Sequence, residues 1–352
     1  PVTVKYIAYR GIDQASKILA EKIKGILEKT GVEELHLIDI REAEVEIKDD
    51  STIIVAMPVT GTGETLLSLN RNLRISGHSG NRIFISPFVV SGSREHFDKI
   101  IASLKQGPGG KKYSFISQRT VYVGHDRGGT SWDLEKEMAE VLASKSKFWR
   151  ERREQLNKTN LGIGSNVGIS SVYAGGELQF SEHFAFWDVE YDPHSTSFAS
   201  VYLTISSILQ GLRERPAQSD DDDSLFSRVY QHAVLSPDNF TRFNDGLLQS
   251  CLWRAANPSE LDYRSSPELS EQFKDILIRL CYDQSRECQN NGAVDLLVGV
   301  AVGKIKLREE TVRTIVEDFE CHLGQDEVVR PLCSFIRAEI LDEDTAGGAI
   351  DF

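Results

Sequence analysis

The chain has 352 residues, 40% hydrophobic and 26% charged, with a formal net charge of −13, and a single core of that length would be unusual, so two domains are expected. Its apolar runs all fall short of the roughly 20 residues of a membrane span, and it lacks a basic-then-apolar leader; a cytoplasmic protein that does not contact the membrane is expected. The start at Pro1 suggests a trimmed piece of something longer. Charge divides unevenly: residues 1–160 carry 25 Lys and Arg against 21 Asp and Glu, while the remainder carries 15 against 32. The acidic second half should repel nucleic-acid phosphates.

In chain order, Ala15, Ile18, Leu19, Ile23, Ile26 and Leu27 recur at helical spacing and predict an amphipathic helix over 13–29. Leu35–Ile40, Thr52–Met57, Arg82–Val89 and Arg119–Gly124 are short apolar runs rich in Ile and Val. Apolar on both faces and separated by helices, they suit an α/β domain with a mostly parallel sheet over 1–150. Glycines at 162, 164, 168, 175 and 176 mark a linker-like region over 151–195. Its aromatic segment, Phe180, His183, Phe184, Phe186 and Trp187, reads as core packing, and His194 as a turn.

An all-α, acidic domain is expected over 196–352, with helices at Ser197–Leu212, Leu225–Leu235, Phe240–Ala256, Leu269–Tyr282, Ala293–Val302, Glu309–Glu320 and Glu327–Leu341. Asp220–Asp223 reads as a solvated loop. The helix ending at Ala256 is apolar on more than one face, so it is either central in its domain or covered by a partner protein. The five cysteines, Cys251, Cys281, Cys288, Cys321 and Cys333, are odd in number and lack metal-ligand spacing, and read as reduced thiols packed in or near helices.

One segment carries chemistry. Ile53–Leu66 reads as a buried strand delivering a glycine-rich turn to a helix over Thr65–Leu73, which is an anion cradle. Gly61 and Gly63 allow close backbone approach, and Thr60, Thr62 and Thr65 add hydroxyls. The candidate phosphate-binding set is therefore Thr60, Gly61, Thr62, Gly63, Glu64 and Thr65. A nucleoside-triphosphatase loop is a poor fit, because Pro58 stands where its first glycine belongs and Glu64 where its lysine should meet phosphate. A second loop follows Arg119–Gly124, and His125, Asp126 and Arg127 there form a possible pocket at the sheet's C-terminal edge. The spacing does not compel a catalytic triad, a catalytic residue or a metal site.

Thr62-Gly63-Glu64-Thr65-Leu66 resembles the turn of type I phosphoribosyltransferases, and Arg82–Val89 follows at the distance that family shows. The resemblance spans about residues 1–125. It implies a phosphoribosyltransferase-like fold, a loop holding the 5′-phosphate of phosphoribosyl pyrophosphate, and magnesium accompanying a phosphorylated ligand. Met57 and Pro58 occupy the positions of the acidic pair that grips the ribose in that family, so the resemblance implies a degenerate, non-catalytic member. The whole arrangement, a nucleotide-type fold joined to a helical module, resembles phosphoribosyltransferase-like proteins of prokaryotic conflict and antiviral-defence systems. The expected function is a binding, sensing or scaffold subunit that takes a phosphorylated nucleotide or sugar and meets a protein partner through its helical half. An active phosphoribosyltransferase or nucleotide-processing enzyme, and a purely structural subunit, are the alternatives.

Overall fold

The computed structural model describes residues 4–43, 47, 50–107, 111, 113–124, 129–158, 198–214, 234–241, 245–282 and 292–342. The chain separates into two compact units, Pro1–Val123 and Gly124–Phe352.

The first unit is α/β. A five-stranded parallel sheet has the spatial order β2 (His36–Asp39), β1 (Val4–Tyr9), β3 (Thr52–Ala56), β5 (Arg82–Ile85), β7 (Ser114–Ile116). Three short strands, β4 (Val59–Thr60), β6 (Phe88–Ser91) and β8 (Arg119–Tyr122), form a second parallel sheet in that order. The run expected as one strand over Arg82–Val89 is thus two strands, broken at Ser86-Pro87, and Met57-Pro58 breaks its neighbour. Proline has no N–H to give the ladder. The chains still hold one another across the break: Met57 N donates to Ile85 O at 2.9 Å, Ser86 N to Ile116 O at 2.9 Å, Phe88 N to Pro58 O at 3.2 Å and Arg119 N to Pro87 O at 2.9 Å.

Alternation along the strands sends residues to two cores. Ala8, Ile38, Ile53, Val55, Met57 and Phe84 meet α2 (Glu64–Ile75) and α3 (Arg94–Lys105) through Leu66, Leu69, Leu73, Ile100 and Leu104. Ile7, Ile54 and Ala56 face the other way, toward Ala20 of α1 (Gln14–Lys29). Helix α1 thus covers one face of the sheet and α2 with α3 the other, which places a change of winding direction between β1 and β3. At the sheet's N-terminal edge the buried Arg82 guanidinium donates to Asn70 Oδ1 at 2.5 Å, Asn70 O at 2.8 Å and His78 O at 2.9 Å. These bonds tie α2 to the start of β5.

The described part of the second unit is helical. It contains α4 (Ser131–Leu142), α5 (Lys147–Asn157), α6 (Phe198–Glu214), α7 (Gly246–Ala255), α8 (Pro267–Tyr282), α9 (Ala293–Ala301), α10 (Glu309–Leu323) and α11 (Val329–Glu339). Every residue of α9 is buried. Most of α7 is buried as well, including Leu247, Cys251, Trp253 and Arg254, so that helix is central in its own unit. The helix expected over Phe240–Ala256 is divided: a 3₁₀ turn covers Pro237–Phe240, and Asp245 then caps α7 through Leu247 N and Leu248 N. Cys251, Cys281 and Cys333 are buried free thiols in helices, and Cys321 is a free thiol exposed on α10. Leu225–233, Asp220–Asp223, Cys288 and nearly all of the expected linker, with His183 and His194, lie outside the described residues. Among the described residues no helix is long and apolar enough to cross a membrane.

Candidate functional site

The glycine loop sits at the C-terminal edge of the sheet, where ligands of open α/β sheets gather. Thr60 is the last residue of β4 and is buried. Its Oγ1 accepts from Ser86 Oγ at 2.7 Å, so this hydroxyl belongs to the sheet rather than to the loop surface. Gly63 is the N-cap of α2 with φ 75°, in the left-handed region. A Cβ there would lie 2.8 Å from Ile100 Cγ2. Two constraints, conformation and the approach of α3, therefore demand glycine at this one position.

Helix α2 begins differently from its neighbours in the first unit. Asp13 caps α1 and Ser93 caps α3 by accepting from first-turn amides. The Gly63 cap has no side chain, and Thr62 Oγ1 reaches only the amide of Glu64, at 3.5 Å. The first intrahelical bond is Leu67 N to Gly63 O. The amides of Thr65 and Leu66 precede it, at the positive end of the helix dipole.

Beside this turn lies a cleft of about 530 Å³ lined by Ile40, Arg41, Glu64, Thr65, Ser68, Leu69 and Asn72. Thr65, Ser68, Leu69 and Asn72 follow i, i+3, i+4, i+7 spacing and form one stripe of α2. The stripe spans eight residues, about 10 Å at the helical rise. The opposite wall is the chain leaving β2. There Asp39 holds Arg41 in a fork, with Arg41 Nε 3.1 Å from both carboxylate oxygens and Nη2 2.5 Å from Oδ2. That fork, with the Arg41 amide, lowers the Asp39 pKa to about 2 despite partial burial. A Cβ on Gly11 would fall 1.9 Å from Asp39 Oδ2, so the β1–α1 turn closes onto the same carboxylate.

Of the residues expected to bind phosphate, Glu64 and Thr65 line the cleft, Gly61, Thr62 and Gly63 form the turn beside it, and Thr60 is withdrawn into the sheet. Met57 packs into the core beneath α2. His125, Asp126 and Arg127 lie outside the described residues. Arg41, Ser68 and Asn72 are additions that sequence reading missed. The helical stripe could have revealed Ser68 and Asn72, whereas Arg41 is brought to the cleft only by strand order.

Chemically the cleft offers one guanidinium, one carboxylate, two hydroxyls and a carboxamide, groups that can hydrogen-bond a polar ligand. Among the described residues there is no group of three or more His, Cys, Asp or Glu able to hold a metal ion. Magnesium at this cleft would therefore depend on a ligand's phosphate oxygens and water, with Glu64 as the lone carboxylate on the lining. No family model, no curated protein and no solved structure matches the chain.

Proposed function

We propose that this chain is a non-catalytic, phosphoribosyltransferase-like binding or sensing subunit whose first unit takes a phosphorylated nucleotide or sugar. The observation that carries the reading is the start of α2: left-handed Gly63, followed by first-turn amides that open beside a cleft of nucleotide size. Arg41 adds positive charge on the far wall, and the polar stripe of α2 supplies groups for sugar hydroxyls. The lack of turnover follows from Met57 and Pro58, since a ribose cation forming in the reaction would meet no carboxylate there. The helical unit is the part we assign to a protein partner, in a system of the antiviral-defence kind.

The test is thermal denaturation with phosphoribosyl pyrophosphate, ATP and ribose 5-phosphate. At least one should stabilise the protein by about 1–3 kcal/mol when well above its dissociation constant. Thr65→Glu, a helix-compatible change that puts a carboxylate at the amides, should abolish the shift while leaving the ligand-free melting temperature in place. Gly63→Asp should abolish it too, with a loss of stability from the strained backbone. Absence of any shift with all three ligands overturns the reading. Pyrophosphate release from phosphoribosyl pyrophosphate overturns its non-catalytic part.

A further inference from the structure

Just after the C-terminal end of α2, the buried His78 has its two ring nitrogens on partners of opposite kind. Nε2 is 3.1 Å from Ser51 O, and Nδ1 is 3.4 Å from Arg82 Nη2. A backbone carbonyl can only accept, and a guanidinium can only donate. Nε2 must therefore carry the proton that goes to Ser51 O, and Nδ1 must offer its lone pair to Arg82. One form of the ring makes both bonds, the neutral tautomer with its hydrogen on Nε2. Arg82 is itself fully buried, and among the described residues none of its partners is a carboxylate. They are Asn70 O and Oδ1, His78 O and Nδ1, and the ring of Tyr113, whose centroid is 4.9 Å from Cζ. A proton added at Nδ1 would set a second positive charge 3.4 Å from Arg82 Nη2, in a place closed to water.

We infer that His78 is an acid-sensitive latch: its neutral ring ties the end of α2 to β5 and to the chain entering β3, and taking up a proton releases them. The three attachments are His78 N to Leu73 O of α2, Nδ1 to Arg82 at the start of β5, and Nε2 to Ser51, next to the first residue of β3. The charges nearby act in opposite senses. Arg82 of β5 opposes a protonated ring by direct contact. Arg74 of α2 adds positive charge beside Arg82, and Lys111, before β7, donates to Ser79 O. Asp50 is the group of opposite sign that acts on His78. It is exposed and already accepts from Ser79 N at 2.8 Å, so water weakens its pull, and the buried Arg82 prevails. The unfolded chain takes up this proton near the ordinary histidine value of about 6.5. The folded chain does not, so stability falls as pH drops below that value. Release would free the far end of the helix that walls the cleft.

Two measurements on the full chain test the latch. Nitrogen NMR of the histidine rings at about pH 5.5, roughly one unit below the ordinary histidine value, should show His78 still neutral, with hydrogen on Nε2 alone. Amide hydrogen exchange in β3 and β5, corrected for its intrinsic pH dependence, reads the opening equilibrium of the first unit. Below about pH 6.5 that constant should rise about tenfold more per pH unit in the wild type than in His78→Gln, because one proton is taken up on opening. Glutamine keeps a donor for Ser51 O and an acceptor for Arg82 but does not titrate. Equal slopes in the two proteins, or a ring protonated on both nitrogens at about pH 5.5, overturns the inference. If His78→Gln fails to fold, the protonation state of the wild-type ring decides it.

Discussion

The two units place their charged residues in opposite ways. In the cleft of the first unit, Arg41 and Glu64 lie at the surface beside an uncapped helix start. In the second unit a run of charges is fully buried. Glu135 Oε1 accepts from Arg152 Nε at 2.6 Å, and its other oxygen is 2.8 Å from Arg254 Nη1. Arg254 Nη2 in turn donates to Asp295 Oδ1 at 2.9 Å. Ser250 Oγ and Trp253 Nε1 also donate to Asp295, and the Arg254 guanidinium stacks over the rings of Trp132 and Trp253. Two cations alternate with two anions, so the series is neutral. The contact between Arg254 and Glu135 is coulombic more than directional, since neither Nη1 nor Oε2 has a well-aligned hydrogen bond. The contrast is one of burial: the four charges of the series are held away from solvent, whereas Arg41 and Glu64 are exposed. The buried series links α4, α5, α7 and α9 as an element of structure.

Lys304 is the exception inside the second unit. It is fully buried and donates to Arg254 O at 2.7 Å. Burial, with the nearby positive charge of Arg254, pushes its pKa well below the ordinary 10.5.

The comparison can be broken most sharply at the buried series. Asp295→Ala leaves the Arg254 charge buried with a single carboxylate, and should cost about 3–5 kcal/mol in urea denaturation. Loss of under 1 kcal/mol would mean that the series is not a structural element. Lys304→Met should act the other way, raising stability at neutral pH by about 1 kcal/mol as an apolar group replaces a hard-to-charge amine. The sign with pH follows from the depressed pKa: between the folded and unfolded values the unfolded chain holds more protons. Wild-type stability should therefore rise relative to Lys304→Met as pH climbs toward about 10.5. Helix caps come next, with Asp13→Ala or Ser93→Ala losing about 1 kcal/mol each in the same assay. The smallest effect is expected in the first unit's cleft. Asp39→Asn should hardly change stability at pH 7, because Arg41 is exposed. Wild type should lose its small advantage over that variant as pH falls from about 4 to about 2, since the Asp39 pKa is lowered to about 2 from 3.8.

Much of the first unit was legible in the sequence because periodicity and turn chemistry are local. The helix over 13–29, the runs at Leu35–Ile40 and Thr52–Met57, and the glycine turn into α2 all fall within one or two residues of the observed elements. The second unit's α6, α8, α9, α10 and α11 were legible for the same reason. Strands β1 and β7 and helices α3 and α5 were not read, although Ser93 and Ser146 cap those helices. Strand β7 has only three residues, too few to show a period.

What the sequence determined alone is the class of each unit and the place of the glycine turn before α2, since both depend on neighbours within a few positions. Tertiary structure decided which groups are available around that turn. It withdrew Thr60 into a bond with Ser86, buried Met57 under α2, and carried Arg41 from the end of β2 to face Thr65. It also turned Glu135, Arg152, Arg254 and Asp295, spread over 160 positions of chain, into one buried series. Those outcomes depend on strand order and helix packing, which bring together residues that no local pattern connects.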